Sequence, residues 1–417
     1  MRFVHSIAAA ATLLLALRVL GAVVGLLASV AISRVLGAQS AGAIFWAIGI
    51  CAVVAGVSRL GIDTALMRDV ALAESTGDQS RVAKLATTAY ALVLSVGAAI
   101  TVALLIVFQI QTESPSRHAV YPVLFAVPGL AVLGVAAAVL IGRSRAIQSI
   151  SLQSLLPPLV FVMGAVTIGR SNGTTGVAFS YMTAVWLTVC LAAVLSLQYT
   201  RVIHWEIDLV LVKRLISSSP ALFLIGLSKI WMEWGGTIIL GGMHRDAEAA
   251  YFSAATRITG ALAFLVAAVE AHLAPRLAVA LRSESGAAVA KRLFTEARST
   301  TLVISIPAVL ILVAFAPDIL AIFGSEFRAG AAVLRVLCFG QLVNALTGPS
   351  TIFVLMNAEY SQIMKISVQA VVLSVLLASV LAPELGVMGI AIAFAAAFAW
   401  IHVRAYSRVS ASLDSRR

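Results

Sequence analysis

The chain has 417 residues, 61% of them hydrophobic and 11% charged, with a mean hydropathy of +1.03. A soluble domain is nearer half apolar and a quarter charged, which excludes an ordinary globular protein and leaves a polytopic membrane protein. A net charge of +11 would suggest nucleic acid in a soluble chain. Here the basic residues are scattered between apolar runs, so no nucleic-acid partner is expected.

Twelve apolar segments are long enough to cross ~30 Å of hydrocarbon. They cover about 8–33, 41–62, 84–108, 119–141, 149–169, 175–199, 217–242, 248–273, 298–318, 329–356, 361–382 and 386–406. Backbone groups in lipid must pair internally and no alternating-strand pattern occurs, so these are helices. The first run is too long for the apolar part of a cleaved signal peptide. Pro157-Pro158 in the fifth segment and Pro307 in the ninth predict kinks. Cys51, Cys190 and Cys338 each fall inside an apolar run and read as small packing residues.

Loop charge sets orientation. With the N-terminus in the cytoplasm, 19 Lys and Arg residues fall on the inner side and 5 on the outer side, namely Arg34, Arg117, Arg170, Arg245 and Arg328. Both termini are therefore expected in the cytoplasm. The outer loops are all short. The longer inner loops, near 63–83 and 274–297, read as short amphipathic surface helices.

The two halves echo each other at an offset that drifts from about 209 to 216. Arg68, Glu74 and Gly77 match Arg276, Glu284 and Gly286. Ser151-Leu152-Gln153 matches Ser367-Val368-Gln369. Gly173-Thr-Thr-Gly176-Val-Ala matches Gly386-Val-Met-Gly389-Ile-Ala. Six segments per half predict an all-α integral membrane fold of about twelve transmembrane helices. They form two pseudo-symmetric six-helix lobes, 1–208 and 209–417, around a central cavity.

Short motifs in both halves carry a family likeness. They are Arg18-Val-Leu-Gly21, Arg34-Val-Leu-Gly37-Ala38 and Ser58-Arg59-Leu-Gly61-Ile-Asp63-Thr-Ala65. The second half adds Ala250-Tyr251-Phe-Ser-Ala-Ala-Thr-Arg257, then Phe323-Gly324-Ser-Glu326 leading to Ala331-Ala332-Val-Leu334. Together these resemble the polysaccharide-biosynthesis flippases, the O-antigen and exopolysaccharide (Wzx-like) transporters. The resemblance implies the multidrug/oligosaccharidyl-lipid/polysaccharide (MOP) exporter fold. It also implies alternating-access export of an undecaprenyl-diphosphate-linked oligosaccharide across a bacterial inner membrane. Partners would be that substrate, membrane lipids, H+ or Na+, and polysaccharide polymerase or export proteins. The related lipid II flippases usually have fourteen spans, so the count of twelve argues against that member.

Charges inside the spans are the candidate site. An arginine near mid-membrane costs roughly 2.5–3.5 kcal/mol on insertion scales, so such a residue faces an aqueous cavity or a partner helix. Arg18 lies near the middle of the first span and Lys229 near the middle of the seventh; the 209 offset puts Arg18 opposite Leu227. Arg257 in the eighth span and Arg335 in the tenth complete a set of four cations suited to a diphosphate. Pairing within the protein and snorkelling are the alternative roles. Glu233 shares a helical face with Lys229, either as its ion-pair partner or as a carboxylate that couples transport to an ion. Arg59, four residues before Asp63, reads as paired with it or snorkelling. Trp231, Trp234 and Asn344 read as either sugar contacts or helix packing.

No catalytic constellation, cofactor or metal site is expected. The six histidines, His5, His118, His204, His244, His272 and His402, show no paired ligand spacing, and no phosphate-binding loop occurs. A multidrug antiporter of the same superfamily (a MATE-like protein) is the alternative, and it would favour acidic residues at mid-membrane. A membrane glycan polymerase would need a large outer loop.

Overall fold

The computed structural model describes residues 2–111, 119–198, 208–217, 220–282 and 286–414; Arg117, His118, His204 and Glu284 lie outside them, as does the side chain of His5. The chain divides into two compact units, Met1–Phe223 and Leu224–Arg417. In the first, α1 (Arg2–Ser58), α2 (Ile62–Ser75), α3 (Gln79–Gln111), α4 (Ala126–Gly142), α5 (Leu156–Leu197) and α6 (Leu209–Ser217) follow in order. α7 (Pro220–Gly242) leads into the second, with α8 (Asp246–Ala280), α9 (Gly286–Ala314), α10 (Ala331–Thr347), α11 (Tyr360–Leu385) and α12 (Val387–Asp414).

Ten helical stretches among the described residues are long and apolar enough to cross a membrane. Two of them, of 46 and 52 residues, are too long for one crossing, since 46 residues at 1.5 Å each reach about 69 Å. Each is broken by one glycine outside helical geometry: Gly37 (φ 72°, ψ 171°) in α1 and Gly173 (φ 56°, ψ −139°) in α5. Counting each arm separately gives the twelve expected spans.

Side-chain contacts show that both glycines reverse the chain. In α5, Gly164 packs on Ser180 and Gly169 on Val177, so its arms run antiparallel. The first arm of α1 runs parallel to the first arm of α5, because Gly21 meets Ser154 and Val35 meets Gly169. The second arm of α1 runs parallel to α4: Cys51 donates to the Val123 carbonyl and Arg59 lies against Gly134. α4 in turn runs parallel to the second arm of α5, with Trp186 donating to the Phe125 carbonyl and Arg143 to that of Ser196. The two arms of α1 therefore oppose each other. α3 opposes α4, since Arg143 reaches Gln79 and Tyr121 donates to the Phe108 carbonyl.

The second unit alternates likewise. Gly236 against Phe252, with Trp234 beneath Arg257, sets α7 antiparallel to α8. Arg298 donating to the Leu346 carbonyl, with Arg335 donating to that of Val313, opposes α9 and α10. The repeated Gly-X-X-Gly motif is one hairpin used twice. Gly386 (φ 57°, ψ −132°) turns α11 into α12 with the dihedrals of Gly173. Three residues on, Gly176 abuts the Ile168 carbonyl and Gly389 that of Leu381, the same register in each half. A positive φ favours glycine at the first position, and the close carbonyl excludes a Cβ at the second. Ser151–Gln153 and Ser367–Gln369 share no local structure: the former lie in a π-helical turn (Ser151–Leu155), the latter inside α11. That turn lies just before Pro157-Pro158 and marks the expected irregularity. α9 passes through Pro307 with no residue outside helical geometry.

The expected surface helix near 63–83 is α2, which buries Ile62, Ala65, Leu66 and Val70. Near 274–297 the structure differs. Residues up to Ala280 extend α8 through Pro275, and Gly286 onward already belongs to α9. Leu277 and Leu281 pack with Leu293 and Phe294, so both helices continue past the hydrocarbon rather than forming a separate surface helix. Of the cysteines, Cys51 and Cys338 are buried, while Cys190 is exposed on α5.

One end of the first unit is tied by a charged network. Arg143, 6% exposed, pairs with Glu74 at 3.3 Å and donates to Gln79 and to the Ser196 carbonyl, both at 3.0 Å. Gly142 lets α4 press against Met67 and Val70 of α2 beside it. The buried Asp69 pairs with Arg68 at 3.1 Å and with Arg214 of α6 at 3.6 Å. Asp208 caps α6 by accepting from the Val210 and Leu211 amides at 3.0 Å. Lys84, 2.8 Å away, holds the Asp208 carboxyl below the usual carboxylate range.

Candidate functional site

α7 presents its charges on one stripe. Gly226, Lys229 and Glu233 follow at helical spacing and all three are exposed. Lys229 and Glu233 share the face without closing an ion pair or hydrogen bond, and neither has such a partner among the described residues. Lys229 instead interacts electrostatically with Glu270 of α8. Two exposed charges on one helical face at this depth would be costly against hydrocarbon, so the stripe suits a polar environment.

The same two helices bring Arg257 to Trp234. Its guanidinium carbon lies 5.1 Å from the indole centroid. Gly236 makes this possible: a Cβ there would overlap the Phe252 ring, so glycine lets α7 and α8 approach closely just beyond the stack. Trp231, three residues before Trp234, has a packing role. Its Nε1 donates to Ser374 of α11 at 3.0 Å and its ring meets Phe394 at 6.5 Å. Asn344 is buried in α10 with its amide towards Gln341, which also reads as packing.

In the first unit, Arg18 is exposed and makes no hydrogen bond or ion pair among the described residues. The apolar exposed face of this arm carries Leu20, Val23 and Leu27. Two residues along a helix amount to about 200°, so Arg18 points away from that face. It lies on the side of Ser29 and Ser33, which are buried. Arg335 is also exposed, and its Nε donates to the Val313 carbonyl at 3.2 Å. That carbonyl belongs to the last turn of α9, where a cation offsets both the unpaired acceptor and the helix dipole. Arg59 pairs with Asp63 at 2.9 Å across the turn between α1 and α2, one of the two roles expected for it, with Gly134 leaving room for its side chain.

The Trp234–Arg257 stack and the Arg143 network were not foreseen. Arg257 lies 23 residues from Trp234, and the Gly235-Gly236 pair, whose lack of side chains permits a close helix approach, is the signal that could have pointed to it. Arg143 read simply as one more inner-side charge.

Two units of six spans define the class: this is the architecture of the MOP exporters. An inward-facing MATE-family multidrug resistance transporter of that superfamily is 15% identical, with a TM-score of 0.78 over 97% of this chain and 98% of that one. An outward-facing structure of a MATE-family transporter is 14% identical, with a TM-score of 0.66 over 98% and 96%. The lipid II flippase MurJ, in an inward closed conformation, is 11% identical, with a TM-score of 0.73 over 94% and 86%. No curated protein sequence matches the chain. The family model for polysaccharide biosynthesis proteins matches residues 7–281, and the chain belongs to that family. It is a multi-pass membrane protein and a transporter or flippase of the MOP type.

Proposed function

We propose that the protein moves an undecaprenyl-diphosphate-linked oligosaccharide from the cytoplasmic to the outer leaflet of a bacterial plasma membrane. The observation that carries this reading is the sign of the exposed charge within the spans. Arg18 and Lys229 are exposed side chains without a hydrogen-bonded or ion-paired partner among the described residues, and Arg257 lies one helix from Lys229. A diphosphate is the part of such a substrate that cations recognise, and arginine offers it a bidentate fork. Arg18, Lys229 and Arg257 are assigned to oxyanion contact. Arg335 completes the α9 terminus and would reach substrate only through its other guanidinium nitrogens. Glu233 is assigned to a coupling ion, H+ or Na+, because it is exposed one turn from Lys229. The excess of basic residues on the end that carries Arg143 and Arg214 supports cytoplasmic termini.

The second reading, a cation-coupled multidrug antiporter, draws on Glu233 and the MATE likeness. Reconstitution separates the two. Vesicles holding the purified protein should translocate a fluorescent polyprenyl-diphosphate oligosaccharide and leave a cationic dye gradient intact. Dye export without lipid translocation would establish the antiporter instead.

A further inference from the structure

We infer that Trp234 is the positioning residue for Arg257: the indole holds the guanidinium by its face and thereby orients its N–H edge for a phosphate oxyanion. This rests on the proposed role of Arg257 and adds to it a second residue and a mechanism.

Trp231 and Trp234 are neighbours on one helix, yet only Trp231 is engaged in helix packing through its ring nitrogen, to Ser374. Trp234 is half-buried and has Arg257 above its ring at 5.1 Å. A guanidinium attracted to an aromatic face lies against the negative side of the ring quadrupole. Its hydrogen-bond donors point outward in its own plane, so stacking and oxyanion binding use different parts of the group. An unrestrained arginine loses considerable rotamer freedom when it binds a ligand. A stacked one has lost part of it already, so binding is tighter for the same contacts. The backbone provides for the stack, since Gly236 lets Phe252 approach and places Arg257, further along α8, over Trp234.

Lys229 differs in kind. It is a point charge on a flexible stem, exposed and without an aromatic neighbour among the described contacts. Of the two, only Arg257 is held against an aromatic face, and only an arginine can offer a diphosphate a fork.

The test is a double-mutant cycle on the full-length protein, with farnesyl diphosphate as the probe. Binding would be measured for the wild type, Trp234→Phe, Trp234→Leu, Arg257→Ala and the Trp234→Leu/Arg257→Ala pair. Trp234→Phe keeps an aromatic face and should stay within about threefold of wild type. Trp234→Leu should weaken binding about tenfold, and should add almost nothing once Arg257 is alanine. Monodisperse Trp234→Leu protein with an unchanged melting temperature removes misfolding as the cause. If Trp234→Leu costs the same with and without Arg257, or if Trp234→Phe is as weak as Trp234→Leu, the positioning role is wrong and the assignment of Arg257 to substrate is untouched. If Arg257→Ala itself binds like wild type, the assignment of Arg257 to substrate fails first, and this inference with it.

Discussion

Replacing Arg18 or Arg257 by alanine is expected to lower glycan export about 10- to 100-fold and to leave the amount of protein in the membrane unchanged. The size follows from removing one charge-assisted contact to a diphosphate, worth about 1.5–3 kcal/mol. The unchanged level is the more telling half. Arg18 has no hydrogen bond or ion pair among the described residues, so the folded protein loses no such contact with it. A mid-span arginine costs roughly 2.5–3.5 kcal/mol to insert, so the alanine variant should be at least as stable as wild type. A structural arginine would behave oppositely, with protein and export falling together. Arg18→Lys keeps the charge but not the fork, and should fall between wild type and alanine. Export assays paired with quantitative membrane blots read both halves.

Arg143→Ala should do the reverse, lowering stability first and activity only as a consequence. Its side chain is 2% exposed, pairs with Glu74 and serves Gln79 and the Ser196 carbonyl. Alanine would leave these groups without their shared cation where Ser196 itself is buried. Removing one partner of a buried pair costs roughly 3–5 kcal/mol, and the partial exposure of Glu74 brings the expectation here to about 3 kcal/mol. That should lower the melting temperature in detergent by about 5–10 °C. Arg143→Lys should recover only part, because one ammonium cannot span three acceptors on α2, α3 and α5. Arg298 offers a parallel in the second unit, tying the Leu346 carbonyl and Tyr406 at once.

Much of the architecture was legible before any coordinates. Span limits follow from hydropathy because the bilayer sets a length. Gly173 and Gly386 read only as a repeat at the start of the last span of each half, and the positive φ by which they turn the chain emerged from the structure. The repeated Gly-X-X-Gly motif was legible as a repeat, though not as the carbonyl approach that requires its second glycine. What stayed hidden depends on contacts between distant segments. A loop arginine such as Arg143 looks the same in sequence whether it faces water or closes a buried network. Trp234 showed two possible roles, sugar contact or packing, and its stack on Arg257 is neither. For the candidate site, the sequence marked Arg18 and Lys229 by depth alone. It could not tell that Arg335 would reach back to the end of α9, because that depends on how α9 and α10 pair.

The most direct test is the leaflet in which lipid-linked oligosaccharide resides in cells lacking this chain. The account predicts that the undecaprenyl-diphosphate oligosaccharide accumulates facing the cytoplasm, beyond reach of reagents confined to the outer side. Wild-type protein should restore its exposure, and Arg18→Ala and Arg257→Ala should not. Lipid-linked oligosaccharide that still reaches the outer leaflet at the normal rate in the deleted strain would contradict it.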